Sequence, residues 1–331
     1  MFPERIYFEP QALNYELGQQ LYQKYSCLPW VAIQSHNSIP ELQASPNQDF
    51  GRMKRYLVIG LRKTHKYVPN HKVSDFLVPY TSSGCSASCL YCYLVCNYNK
   101  CSYLRLFVNR EQMLAKLIKT AAAAQSDLTF EIGSNSDLVL ENTITGNLPW
   151  TIESFGQKEK GFLTFPTKFD MIDPLLGLDH RARTIIRMSM NPKEVIRKVE
   201  FGTSPLPARI DALNRLAQDG YPVGILIAPV VLLANWQSHY QQLIQQLADT
   251  LSPQSKQKLF IEIIFMTYSF VHRVINNDAF PNAVELYDKA LMTGRGRGRY
   301  CYRPDVRAEA EAFLRQELQV KLPSVPILYV V

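Results

Sequence analysis

Apolar residues along this chain follow two spacings, and the spacing changes near residue 75. Beyond that point, short apolar-rich runs recur at 76–80, 128–133, 161–168, 183–190, 223–228 and 259–265. Runs of this length bounded by polar turns suit strands buried on both faces. Between them the apolar positions take helical spacing. Met113, Leu114, Leu117, Ile118 and Ala121 line one face of a helix over 109–124. Trp236, Tyr240, Leu243, Ile244, Leu247 and Leu251 do the same over 235–251, and further helices are expected at 150–157, after Asn191 and at 207–218. Asn109 with Gln112, Asn191 before Pro192, and Asn235 stand where helix caps are expected. Six strands alternating with helices predict a parallel sheet with crossover helices, with functional residues at the carboxyl ends of the strands. Periodicity alone leaves an open barrel and a flat doubly wound sheet as alternatives.

The flanks read differently. Residues 1–74 form an N-terminal layer, with a strand at 6–8, a helix over 11–25 carrying Leu13, Leu17 and Leu21, an irregular loop at 36–52 and a strand at 56–61. His65 and His71 read as surface histidines. Residues 75–266 hold the alternating series. Residues 267–331 are a C-terminal extension, irregular to 304, then a helix at 305–318 and a strand at 326–330.

Composition narrows the class. Of 331 residues, 47% are hydrophobic and 20% charged, which suits one large α/β unit with accessory pieces. The formal net charge of +7 is compatible with a polyanionic partner. Seven cysteines, an odd number and locally clustered, argue against a disulfide framework and for a reducing compartment. The opening residues lack the apolar run of a signal peptide, and no stretch reaches the roughly 20 apolar residues that span a bilayer. A cytoplasmic protein without membrane contact is expected.

The chemistry concentrates in residues 81–96. Cys85, Cys89 and Cys92 stand at C-x3-C-x2-C, with Tyr91 before the third cysteine and Tyr93 after it. Such thiolates can occupy three corners of an iron–sulfur cluster and leave one iron open. A zinc site or small buried hydrophobes are the alternatives, although structural zinc usually takes four protein ligands. The C-x3-C-x-aromatic-C pattern resembles the radical S-adenosylmethionine (SAM) superfamily, in which a [4Fe–4S] cluster cleaves SAM to a 5′-deoxyadenosyl radical.

A collinear set of segments carries the resemblance further. Residues 6–13, Leu17-Gly18-Gln19, Ser35-His36-Asn37, Gly84 to Leu94, Phe130-Glu131, Ser136-Asp137, Thr167-Lys168-Phe169, Ser189-Met190-Asn191, Phe201 to Ser204 and Ala228-Pro229 together resemble the spore photoproduct lyases. The resemblance implies an α/β fold, an open (β/α)6 partial TIM barrel. It also implies a [4Fe–4S] cluster on Cys85, Cys89 and Cys92, with SAM chelating the fourth iron. Ser136, Lys168, Ser189, Asn191 and Ala228 match positions near SAM, and Tyr91 and Tyr93 match the catalytic region. The implied activity is a carbon–carbon lyase that returns the thymine dimer 5-thyminyl-5,6-dihydrothymine in DNA to two thymines. A flavodoxin- or ferredoxin-like electron donor and a monomeric state are expected with it.

The chain departs from that pattern in two places. In the run Phe-Glu-x-x-Cys-x-Ser-Asp the family carries a hydrogen-donor cysteine, and here that position is Ser134. A serine O–H bond is too strong to give hydrogen readily to a carbon radical. Either another thiol (Cys96, Cys101 or Cys301) substitutes, or the reaction ends differently. The C-terminal run Gly294 to Arg303 is the second departure. There Arg295, Arg297, Arg299, Tyr300, Tyr302 and Arg303 suit phosphate and base contacts, or a solvated turn. Three functions are therefore carried forward: a lyase-like radical SAM enzyme on DNA, a radical SAM enzyme on RNA or a small molecule, and a nucleic-acid-binding protein with a structural or redox-sensing cluster.

Overall fold

The computed structural model describes residues 3–97, 103–158 and 160–331. The six apolar runs become neighbouring parallel strands: Phe76–Leu77, Thr129–Glu131, Phe162–Thr167, Thr184–Ser189, Val223–Val230 and Leu259–Phe265. They lie side by side in chain order. A doubly wound sheet would reverse its order at a switch point; this one does not, and it curls into an open half-barrel. Ile327–Val330 extends one edge in parallel, and Val68–Pro69 extends the other in antiparallel.

Alternation along the strands separates two environments. Leu163, Phe165, Ile186, Met188, Ile225 and Ile263 are wholly buried in the main core, which takes in the crossover helices. The opposite face of the same strands carries Glu131, Thr164, Arg187 and Glu262. Arg187 Nε donates to Thr164 Oγ1 at 2.9 Å, its Nη1 lies 3.1 Å from Glu262 Oε2, and its Nη2 lies 2.8 Å from Glu131. The Tyr329 hydroxyl donates to Glu262 from the last strand. This polar layer lies directly below Ser189, which is two residues beyond Arg187 on the same face.

A second sheet of five strands has the order Trp30–Ala32, Arg5–Phe8, Tyr56–Gly60, Leu104–Phe107, Ser82–Ser83. It thus draws strands from both sides of residue 74. Its faces are covered by two further apolar clusters, one around Ile6, Leu57 and Leu104, the other around Tyr7, Val58 and Val95.

Some local expectations change. Residues 267–304 are not irregular: Thr267–Ser269, Arg299–Tyr302 and Met292–Gly294 form an antiparallel sheet, and Phe270–Ala279 is a helix. Alternating Gly and Arg hid the hairpin, whose turn has positive φ at Gly296, Arg297 and Gly298. Asn109 takes the N-cap position of its helix but makes no capping bond, because its side-chain Oδ1 accepts the Arg62 N–H at 2.9 Å while its amide donates to Gln112 Oε1 at 2.8 Å. Asn191 gives the cap position to Pro192 and is fully buried. The 138–145 stretch, for which no element is predicted above, is a helix capped by Asp137, which accepts the Leu140 N–H at 3.2 Å.

Candidate active site

The cysteine loop follows the first barrel strand. The chain enters it through Gly84 at φ 83°, a left-handed conformation that costs glycine little. The Gly84 N–H donates to the Asn135 carbonyl at 2.8 Å, tying the loop to the end of the next strand. Cys89 sits in the short strand Ser88–Cys89, which pairs with Glu200–Phe201. Side chains from distant segments hold the loop carbonyls. Lys54 Nζ donates to Cys85 O at 2.8 Å, Asn276 Nδ2 to Leu90 O at 2.8 Å, and His272 Nε2 to Cys92 O at 3.0 Å. A carbonyl only accepts, so His272 carries its proton on Nε2. His272 and Asn276 are one turn apart on the same face of the Phe270–Ala279 helix.

The three thiols are partly buried. Burial pushes Cys85 up to about 12, aided by the nearby Asp137 carboxylate, and burial also raises Cys89 strongly. Thiolates in such surroundings need a compensating positive charge, which a metal centre supplies. The Ala87 N–H already points at Cys85 Sγ at 3.4 Å. Among the described residues no group of three or more His, Cys, Asp and Glu could hold a single metal ion.

The residues expected to lie near SAM gather at the carboxyl ends of the barrel strands. Lys168 follows Phe162–Thr167, Ser189 ends its strand, and Ala228 lies near the end of Val223–Val230. Lys168 Nζ donates to Ser189 Oγ at 2.5 Å and to Ala228 O at 3.0 Å, and Ser189 Oγ donates to the same carbonyl at 2.9 Å. Ser136 lies after Thr129–Glu131, with its Oγ 2.6 Å from Ser82 Oγ. Ser82 in turn donates to the buried Glu141 at 2.5 Å. Asn191 stands one step back: its amide donates to Glu200 Oε1 at 2.8 Å.

Glu200 was not legible as a site residue, because it follows Lys198-Val199 like the end of a surface helix. It is buried, and burial alone would raise its carboxyl, yet the neighbouring Lys168 and Arg209 charges bring it down to about 2. The Tyr91 hydroxyl donates to Glu200. Lys168 Nζ lies 5.8 Å from the centre of the Tyr91 ring. Tyr93 is exposed, and its hydroxyl donates to the backbone carbonyl of Ser134. The structure therefore brings Tyr93 and Ser134 together, and Tyr91 with Lys168 and Glu200. The side chain of Cys96 and all of Cys101 lie outside the described residues, while Cys301 sits on the hairpin between Thr267 and Thr293.

The C-terminal candidates divide. Arg295, Arg297 and Arg299 are exposed along the hairpin. Tyr300 is half-buried against Tyr287, ring centres 4.5 Å apart. Tyr302 is buried, and its hydroxyl accepts the Leu232 N–H at 2.8 Å, so its ring is not available to a base. Arg303 is engaged by Asp305 at 2.8 Å.

Comparison with known proteins decides the family. The family model for spore photoproduct lyase matches residues 1–331. The chain belongs to the spore photoproduct lyase family. Spore photoproduct lyase of Bacillus subtilis (strain 168) is 32% identical over 99% of this chain and 98% of its own length. The lyase of Geobacillus sp. (strain Y412MC61) is 30% identical over the same shares. Among solved structures, spore photoproduct lyase complexed with dinucleoside spore photoproduct superposes with a TM-score of 0.92 at 29% identity, covering 99% of each chain. A mutant lyase with bound AdoMet and dinucleoside spore photoproduct superposes equally well, at 28% identity over 100% of this chain and 99% of that one. The half-barrel is thus the lyase fold, and the chain is a radical SAM lyase by family. No helix among the described residues is long and apolar enough to cross a membrane.

Proposed function

We propose that this protein is a lyase-like radical SAM enzyme acting on a thymine-dimer-type lesion in DNA, with Cys85, Cys89 and Cys92 holding a [4Fe–4S] cluster. The observation that carries this reading is Lys168. Its ammonium is held between Ser189 Oγ and the Ala228 carbonyl at the barrel rim, beside the cysteine loop. When bound, the cluster and SAM supply a 5′-deoxyadenosyl radical, and the chemistry is theirs.

The chain's own residues bind and orient. Lys168 offers a charge-assisted bond to a carboxylate. Ser136 and Ser189 present hydroxyls to amino or ribose groups. The buried Arg187 ion pairs lie in the barrel beneath Ser189. On the rim, Arg295, Arg297 and Arg299 suit phosphate contacts. Two relatives' structures hold dinucleoside spore photoproduct, which supports a lesion of that class as substrate.

Ser134 favours a second reading, in which the chain is a divergent lyase that ends its reaction without a thiol at that position. The substrate would then be a different lesion, RNA or a small molecule. Anaerobic reconstitution with iron and sulfide, followed by SAM and a reductant, tests the shared core of both readings. Formation of 5′-deoxyadenosine is expected. A cluster-loaded protein that never cleaves SAM would leave only nucleic-acid binding with a structural or redox-sensing cluster.

A further inference from the structure

Glu200 joins more parts of this site than any residue the sequence singled out. Its Oε2 accepts from Arg209 Nη2 at 2.7 Å and its Oε1 from Asn191 Nδ2 at 2.8 Å. Oε1 also accepts from the Tyr91 hydroxyl, and Lys168 Nζ lies 3.4 Å away. The backbone of Glu200 pairs with the strand that carries Cys89. One side chain therefore reaches the tyrosine before the third cysteine and the lysine at the barrel rim, from a strand that braces the cluster loop.

The charges explain what this arrangement does. Arg209 is wholly buried, and its other N–H groups donate to Ser204 O, Ser189 O and Thr203 Oγ1 at 2.7–2.9 Å. Fixed in this way, Arg209 and Glu200 neutralise each other. Lys168 then keeps one positive charge facing the pocket. Asp137, also nearby, directs its oxygens to Thr167 Oγ1 and to the Lys168 and Leu140 amides. Glu200 Oε1 lies 3.4 Å from Lys168 Nζ, a distance that leaves the ammonium bonded to Ser189 and Ala228. The same oxygen commits the Tyr91 hydroxyl and so fixes the ring beside Lys168.

We propose that Glu200 is the positioning residue of the SAM pocket: it holds Lys168 in place for the SAM carboxylate, and Tyr91 beside it, without touching SAM. This rests on the reading of Lys168 as a SAM contact.

The test compares cluster-loaded wild type, Glu200→Gln and Glu200→Asp. Iron content, thermal midpoint, SAM affinity from the change in the reduced cluster's EPR spectrum, and KM against kcat are measured for each. Glu200→Gln is expected to load iron like wild type yet bind SAM about tenfold or more weakly, with KM raised more than kcat is lowered. Glu200→Asp keeps the charge and should recover part of that loss. If Glu200→Gln does not fold, Glu200→Asp decides, and weaker SAM binding than wild type is still expected. Wild-type SAM affinity in the folded variants, whatever their thermal midpoint, overturns the proposal and leaves Glu200 a structural residue. Wild type that loads its cluster but binds no SAM would overturn the SAM reading itself.

Discussion

The hydroxyl of Tyr93 donates to the backbone carbonyl of Ser134. One residue belongs to the cysteine loop and the other follows the second barrel strand, so this contact joins the two segments where a reaction would begin and end. The side chain of Ser134 is a hydroxyl, which gives hydrogen to carbon radicals poorly. Ser134→Cys places a thiol next to Tyr93 without disturbing that backbone contact. It is expected to lower, severalfold, the SAM consumed per dimer repaired and to suppress side products, measured by chromatography of thymine and 5′-deoxyadenosine. An unchanged ratio would show that position 134 does not set how the reaction ends.

His272 and Asn276 hold two cysteine-loop carbonyls from one helix face. Each bond lost leaves a carbonyl short of a partner, at about 1–3 kcal/mol where it is buried. The double variant His272→Ala/Asn276→Ala should fold, take up iron, and then release it faster than wild type under a chelator. Iron retention followed by absorbance checks this. Equal release rates would mean that the helix merely covers the loop.

Arg187 pairs with Glu131 and Glu262 inside the barrel. Arg187→Met removes the cation and leaves Glu262, itself wholly buried, without its ion pair. Breaking a buried pair in this way costs about 3–5 kcal/mol. Urea unfolding should show that loss, and the combined change Arg187→Met/Glu262→Leu should recover part of it, because the wholly buried charge is gone and only the slightly exposed Glu131 is left unpaired.

Arg297 stands at the tip of the hairpin with φ 52°. If it holds a phosphate, Arg297→Ala should weaken binding of single-stranded DNA similarly for all sequences and reduce the slope of log affinity against log salt by about 1. Fluorescence anisotropy across a salt series measures this.

Much of the barrel was legible because each of its strands is a short apolar-rich run, and 259–265 was delimited to the residue. The three cysteines and Lys168, Ser189 and Ala228 were singled out by short motifs, and the fold brings Lys168, Ser189 and Ala228 together at the barrel rim. What escaped had physical reasons. Glu200 and Arg209 look like ordinary charges on amphipathic helices, and only the fold turns them inward to meet at 2.7 Å. Tyr302 sits among arginines in sequence, but strand alternation points it into the core while Arg299 stays outside. His272 and Asn276 lie about 180 residues from the loop they hold, a distance that no local pattern spans.

The most direct measurement uses dinucleoside spore photoproduct deuterated at the hydrogen to be abstracted, with the anaerobically reconstituted protein, SAM and reductant. The account predicts release of thymine together with deuterium in 5′-deoxyadenosine. Unlabelled 5′-deoxyadenosine beside an intact dimer would contradict it and move the substrate elsewhere.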